Sequence, residues 1–184
     1  MTLDRTSPSA RRTELLEAAY AYVLAHGLSD MSLRPLAAAV GSSPRVLLFL
    51  FGSKDGLIRE LLARARADEL ALLGRLDEPA GLAAAVERLW DWLADPEHRP
   101  MLRLWTEAYT RSLVEPDGAW AGFAKATVDD WLAVLAACEP GADEADLTLA
   151  LAVLRGSLID LIATGDEERT GRGVRRHVER LARM

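Results

Sequence analysis

The chain has 184 residues, with 22 Lys and Arg against 28 Asp and Glu for a net charge of −6 at pH 7, and a single cysteine, Cys138. One cysteine excludes a disulfide framework and a cysteine-based zinc site, and the acidic balance argues against nucleic-acid binding by the surface as a whole. The charge is uneven, however: residues 1–60 hold seven basic and six acidic side chains, and residues 61–184 hold fifteen and twenty-two, so a basic face is expected only near the N-terminus. His26, His98 and His177 lie far apart in the chain, and no metal or cofactor is expected. No apolar run approaches the ~20 residues of a membrane span. The opening MTLDRTSPSARR lacks the apolar stretch of a signal peptide, so a cytoplasmic protein is expected.

Ala, Leu, Glu and Arg dominate and prolines cluster at breaks, which suits an all-α fold. Nine helices are predicted. The first runs from Ser9, as cap, to His26, with Gly27 as its stop. The second follows Ser32 and ends near residues 40–41, with Pro35 in its first turn. The third starts at Ser43, with Pro44 at its first helical position, and runs to about Leu50 or Phe51; it holds the hexamer VLLFLF, 46–51, which alone would read as a strand. Ser43-Pro44 before it is a helix-start signal and overturns that reading. Ser53 caps a fourth helix reaching about Leu73. Helices follow at about 79–94, 98–113, 117–138, 143–164 (capped by Asp143, ended by Gly165) and 167–183.

The first three helices are short and joined by turns of three to five residues, one holding Gly41, which is the outline of a helix-turn-helix. Such a motif sets its second helix in the DNA major groove with the N-terminal residues at the bases, here Ser43, Pro44, Arg45 and Val46. Arg45 suits a bidentate contact to guanine. Arg34 suits a phosphate, while Arg11 and Arg12 either follow the backbone or stand in solvent. Leu47 and Phe51 share a core face. Val46, Leu48, Phe49 and Leu50 exceed what a core needs, so they either meet thymine methyls or pack against the first or fourth helix.

All five tryptophans fall between residues 90 and 131. Trp90 belongs to the apolar stripe of the fifth helix, and Trp105 and Tyr109 to that of the sixth. Trp120, Phe123, Thr127 and Trp131 fall along the seventh. Such stripes are core by default, but Trp and Tyr also stack on flat or cationic ligands. The few charges on them favour a largely apolar ligand. The eighth helix, with Leu147, Leu151, Leu154, Leu158, Ile159 and Ile162, has an apolar arc wider than one buried face requires, with Gly156 allowing close approach.

The segment RRTELLEAAYAYVLAHGLSDMSLRPLAAAVGSSPRVLLFLFGSKDGLIRELL, residues 11–62, resembles the N-terminal domain of the TetR family of bacterial transcriptional regulators. LLEAA, the HG turn, LAAAVG, Phe51 and the S-K-D-x-L pattern at 53–57 carry the resemblance. LAVLRGSLIDLIATGDEERT, 151–170, is similar to the family's last two helices. The resemblance implies a helix-turn-helix DNA-binding domain over residues 1–52. It implies a domain for effector binding and dimerisation over 53–184, with the fourth helix as linker.

It further implies a non-enzymatic homodimeric repressor released from double-stranded operator DNA by a small-molecule effector. Its DNA contacts would include Ser43, Lys54 and Phe49, and its ligand would sit among helices four to seven. Leu151, Leu154, Leu158 and Ile162, with Val174, Val178 and Leu181, would form the dimer interface. Arg45, Val46, Leu48 and Leu50 stand where the family usually has Gly, Thr, Tyr and His. Leucines cannot donate hydrogen bonds, so the alternative is a member with weakened DNA binding that acts as an interaction module.

Overall fold

A computed structural model describes residues 8–28, 31–73 and 81–183 of the chain. Among the described residues there are nine α-helices and no strand. They are α1 (Pro8–His26), α2 (Leu33–Ala39), α3 (Pro44–Phe51), α4 (Lys54–Leu73), α5 (Leu82–Ala94), α6 (Arg99–Val114), α7 (Phe123–Cys138), α8 (Glu144–Thr164) and α9 (Glu167–Leu181). Short 3-10 turns at Pro96–His98 and Gly118–Trp120 precede α6 and α7. The predicted all-α architecture and the nine predicted elements are observed.

The differences have local causes. Ser9 lies inside the first turn of α1 rather than at its cap. Ser32 occupies the N-cap of α2 in an extended conformation, but its side chain makes no cap bond. Residues 79 and 80, expected to open the fifth helix, lie outside the described residues. Helix α5 begins at Leu82, whose N–H is taken by a remote carboxylate, Glu139 Oε2 at 2.6 Å. Helix α7 begins at Phe123 instead of 117 because Gly122, at φ 75°, turns the chain through the left-handed region and separates it from the 3-10 turn.

The DNA-side helices are set by short-range chemistry. Ser43 Oγ accepts from Val46 N at 3.3 Å and Pro44 fills the first position of α3, so the VLLFLF run starts as a helix. Leu47 and Phe51 are buried and join Leu15, Ala19, Val23, Leu36 and Leu57. After Gly52, Ser53 Oγ accepts from Gly56 N at 2.9 Å. Gly56 lies so close to the end of α3 that a Cβ there would stand 2.1 Å from the Phe51 carbonyl oxygen. The G-S-K-D-G sequence is thus the corner that fixes α3 against α4.

Helix α4 is the shared element. Its first turns pack on α1 and α3, and its later turns on α6 and α7. Arg64 pairs with Glu17 of α1 at 2.7 Å, and Arg66 grips Asp130 of α7 in a bidentate pair at 2.6 and 2.9 Å. The layer behind is formed by α5, α8 and α9. Arg169 of α9 reaches Asp160 of α8 through two 2.7 Å hydrogen bonds, closing the α8–α9 corner.

One expectation is corrected here. Leu151, Leu154, Leu158 and Val174, expected at a subunit interface, are buried inside the protomer, and Ile162, Val178 and Leu181 are half-buried at its margin. The reason is register. Positions 147, 151, 154, 158 and 161 form the arc that α8 buries against its own domain. The residues left outward are Leu149, Ala152, Gly156, Ile159 and Ala163. Helix α8 is also long and apolar enough by composition to cross a membrane, although only 28% of its most apolar stretch is buried. No such element was expected from the sequence. Its apolar composition serves two sides, one buried within the protomer and one open.

Candidate nucleic-acid interface and internal cavity

Helix α3 presents Arg45, Val46, Leu48 and Phe49 to solvent while Leu47 and Phe51 point inward. Phe49 is 83% exposed. The choice left open by the sequence is therefore decided for three residues: Val46, Leu48 and Phe49 do not pack under α1 or α4, whereas Leu50 is half-buried against the core. Pro44 is half-buried, and Ser43 is exposed with its hydroxyl committed to the cap.

Arg34 in the first turn of α2, Arg45, and Lys54 at the start of α4 are exposed, and among the described residues none forms an ion pair. Cations left without a carboxylate beside an apolar helix face suit phosphate and base-edge contacts. Arg12 is different. It pairs with Glu60 at 2.7 Å, donates to the Leu50 carbonyl at 3.4 Å and lies over the Phe51 ring at 5.3 Å. It is a clamp holding α1 to the end of α3. Arg11 is paired with Glu14 at 2.8 Å on its own helix.

The second feature is a cavity enclosed by α4, α5, α6, α7 and α8. Its aliphatic lining comes from Ala65, Leu93, Met101, Leu102, Leu151, Leu154 and Leu158, and its aromatic lining from Trp92, Trp105 and Trp131. The free space inside is about 20 Å³, room for one water-sized body. Two charged side chains also line it, Glu69 of α4 and Arg155 of α8. Glu69 is only 5% exposed. Its Oε1 accepts from the Trp131 indole N–H, while its Oε2 is buried without a partner. Burial pushes its carboxyl up to about 7, and neighbouring Asp130 adds to this; the Trp131 hydrogen bond, Arg66 and Arg155 act the other way. Arg155 donates from Nη1 to Tyr109 Oη at 2.9 Å, and its Nε and Nη2 are buried without partners.

Of the aromatic residues proposed for a ligand, the structure brings two, Trp105 and Trp131, to the cavity wall. Tyr109 lies one layer behind, stacked on Trp105 at 5.0 Å. Trp90 turns toward α9, with its indole nitrogen 3.4 Å from where a Cβ on Gly171 would sit. Trp120 is buried in the 3-10 turn that packs on α4. Phe123 faces a surface hollow with Arg59, Leu62 and Arg66. Thr127 is buried with its hydroxyl donating to the Phe123 carbonyl at 2.9 Å. These five are core or surface residues because their stripes meet neighbouring helices rather than the cavity.

Trp92, Glu69 and Arg155 were missed. Two carried a signal. Glu69 continues the buried series Ile58, Leu62, Ala65 at helical spacing, and Arg155 is the one charged residue between Asp146 and Asp160.

The family model for bacterial regulatory proteins of the tetR family matches residues 15–61. A search of curated proteins gives no match. Among solved structures, a transcriptional regulator from Rhodococcus sp. Rha1 aligns with a TM-score of 0.76 at 20% identity, covering 97% of each chain. Salmonella enterica GusR aligns at 0.71 and 21% identity, over 99% of this chain and 100% of that one. The multidrug binding protein EbrR, crystallised with imidazole, aligns at 0.68 and 26% identity over 91% of this chain and 89% of its own. A second EbrR structure, with proflavin, matches at the same TM-score and identity. The segment matched by the tetR-family model runs from within α1 to within α4, and the remaining helices follow the fold of solved TetR-family regulators, to which this chain is similar along its length.

Proposed function

We propose that the protein is a cytoplasmic, non-enzymatic transcriptional repressor that binds double-stranded operator DNA as a homodimer and leaves it when a small, largely apolar ligand enters the cavity. Residues 1–52 act as the DNA-binding unit and residues 53–184 as the effector and dimerisation unit, joined through α4. The observation that carries this reading is the exposed face of α3, with unpaired Arg45 beside apolar side chains, in a domain tied to the cavity-bearing helices. EbrR, a relative in fold, has been crystallised with imidazole and with proflavin, which supports a ligand role for the corresponding domain here.

The tie is concrete. The Leu28 N–H, at the end of α1, donates to both carboxylate oxygens of Glu107 on α6, at 3.0 and 3.2 Å. Met101, Leu102 and Trp105 of the same helix line the cavity. A ligand larger than one water must displace some of this lining, and Met101, the most adaptable of it, lies on α6. Movement of α6 then pulls on the chain entering α2 and α3. The outward flank of α8 supplies the dimer surface, because Leu149 at 52% and Ile159 at 46% exposed are large apolar side chains beside small Ala152 and Gly156.

Arg45→Ala tests the DNA side. Binding to the preferred fragment, followed by fluorescence anisotropy, is expected to weaken by ~1–3 kcal/mol, with choice relaxed at one base pair of each half-site. Unchanged preference at every position would remove Arg45 from base reading. The second reading, an interaction module without sequence-specific DNA binding, is favoured by the apolar Phe49 and Leu48. It predicts that Arg45→Ala changes nothing at any DNA sequence.

A further inference from the structure

The cavity holds two opposite charges that do not meet. Glu69 and Arg155 both line it, yet no ion pair joins them among the described residues, and each leaves polar atoms buried without a partner. A buried polar group left unsatisfied destabilises the fold, more so when charged, unless a ligand or water completes it. On Arg155 the unpartnered atoms are Nε and Nη2, the adjacent pair on one edge of the guanidinium. Two parallel N–H groups on that edge match the two oxygens of a carboxylate. Nη1 is already spent on Tyr109 Oη, and the same guanidinium lies over the Tyr109 ring at 4.8 Å, so the edge is held in one orientation.

The remaining unpartnered atoms decide the sign of the ligand. The Trp92 and Trp105 indole nitrogens, both donors, also lack partners. Four N–H groups therefore stand against one acceptor, Glu69 Oε2. We propose that the cavity takes a flat, apolar organic acid, its carboxylate on the Nε/Nη2 edge of Arg155 and its ring among Trp92, Trp105 and Trp131.

This rests on the reading of the cavity as an effector site and names the class of effector. Arg155 keeps its charge at every accessible pH, whereas Glu69, raised to about 7 by burial, takes up a proton when an anion arrives. Asp130 of α7 pushes it the same way, and Arg66 of its own helix and Arg155 of α8 oppose. Protonated, its carboxyl becomes a donor to the incoming carboxylate, so the five unpartnered atoms of these four cavity-lining side chains are then all donors.

The test uses three probes of one shape, 2-naphthoate, 2-naphthamide and 2-naphthylmethylammonium, titrated calorimetrically into the full chain at pH 7.5. The acid is expected to bind about tenfold or more tighter than the amide, as a charge-assisted bidentate pair should, and the ammonium not at all. Repeating the acid titration in buffers of different ionisation heat should show proton uptake, which Glu69→Gln abolishes. Arg155→Gln should bring the acid down to the amide.

The ranking in the unaltered protein carries the test even if that variant does not fold. The ammonium binding most tightly, or the acid holding no advantage over the amide, would overturn the assignment of the ligand class while leaving the cavity as an effector site. No heat and no change in tryptophan emission with any of the three would overturn the effector-site reading and this proposal together.

Discussion

Ile159→Arg should give a folded monomer. Ile159 is on the open flank of α8, nearly half exposed in the isolated protomer, in line with Ala152, Gly156 and Ala163. Gly156 has nothing within 4 Å of where a Cβ would be, so a second helix can approach closely there. In a two-fold dimer the substitution appears twice at one contact, and a buried arginine without a partner costs roughly 3–5 kcal/mol. The dimer dissociation constant should then rise by roughly a thousandfold or more. Light scattering should report the mass of one chain, with a circular dichroism melt close to that of the unaltered protein. DNA affinity should fall with it, because the two half-sites are then no longer held by one particle. An intact dimer would move the interface elsewhere. Leu158→Arg, one residue away, is the wrong probe: Leu158 is buried and lines the cavity, so an arginine there disrupts the protomer itself.

Glu69→Gln should change how stability depends on pH. In the folded chain burial raises the Glu69 carboxyl to about 7, against an ordinary value of 4.5. Between those two values the folded state binds more protons at this site than the unfolded state, so stability falls as pH rises through the window. The contribution is fully present below about 4.5 and lost above about 7, and amounts to about 3 kcal/mol at most. Glutamine carries no charge and keeps an oxygen for the Trp131 N–H. The variant should therefore match the parent near pH 4.5 and exceed it by ~2–3 kcal/mol at pH 8, or several degrees in Tm for a chain of this size. Urea titrations at pH 5 and 8 check this. Equal pH dependence in the two proteins would show that Glu69 is charged and solvated in the folded state.

What the sequence made legible follows the range of the forces involved. Local signals were readable: Ser43-Pro44 starts α3, Ser53 closes the turn before α4, and Asp143 accepts from Ala145 N at 2.7 Å to cap α8. The buried pair Leu47 and Phe51 was readable from spacing. Which side of α8 faces its own domain was not, because both sides are apolar and the packing of α5, α6, α7 and α9 is what distinguishes them. The cavity wall was half legible. Aromatic content pointed to Trp105 and Trp131, but Trp90 and Trp120 look the same in sequence and are taken up by α9 and α4. Glu69 reads as one more surface charge until the fold buries it. The remote tie between Glu107 and Leu28 lies 79 residues apart in the chain, beyond any local pattern.

We propose that α3 reads DNA in a two-fold particle. Its most direct test is selection of random and genomic DNA fragments on the purified protein at stated salt, since phosphate contacts alone bind any sequence. The expected result is recovery of an inverted repeat with half-sites about one helical turn apart, ~34 Å, or somewhat more. Each half-site should hold a guanine for Arg45, flanked by thymines whose methyl groups meet Val46 and Phe49. Recovery of fragments with no consensus, their binding lost as salt rises, would contradict it.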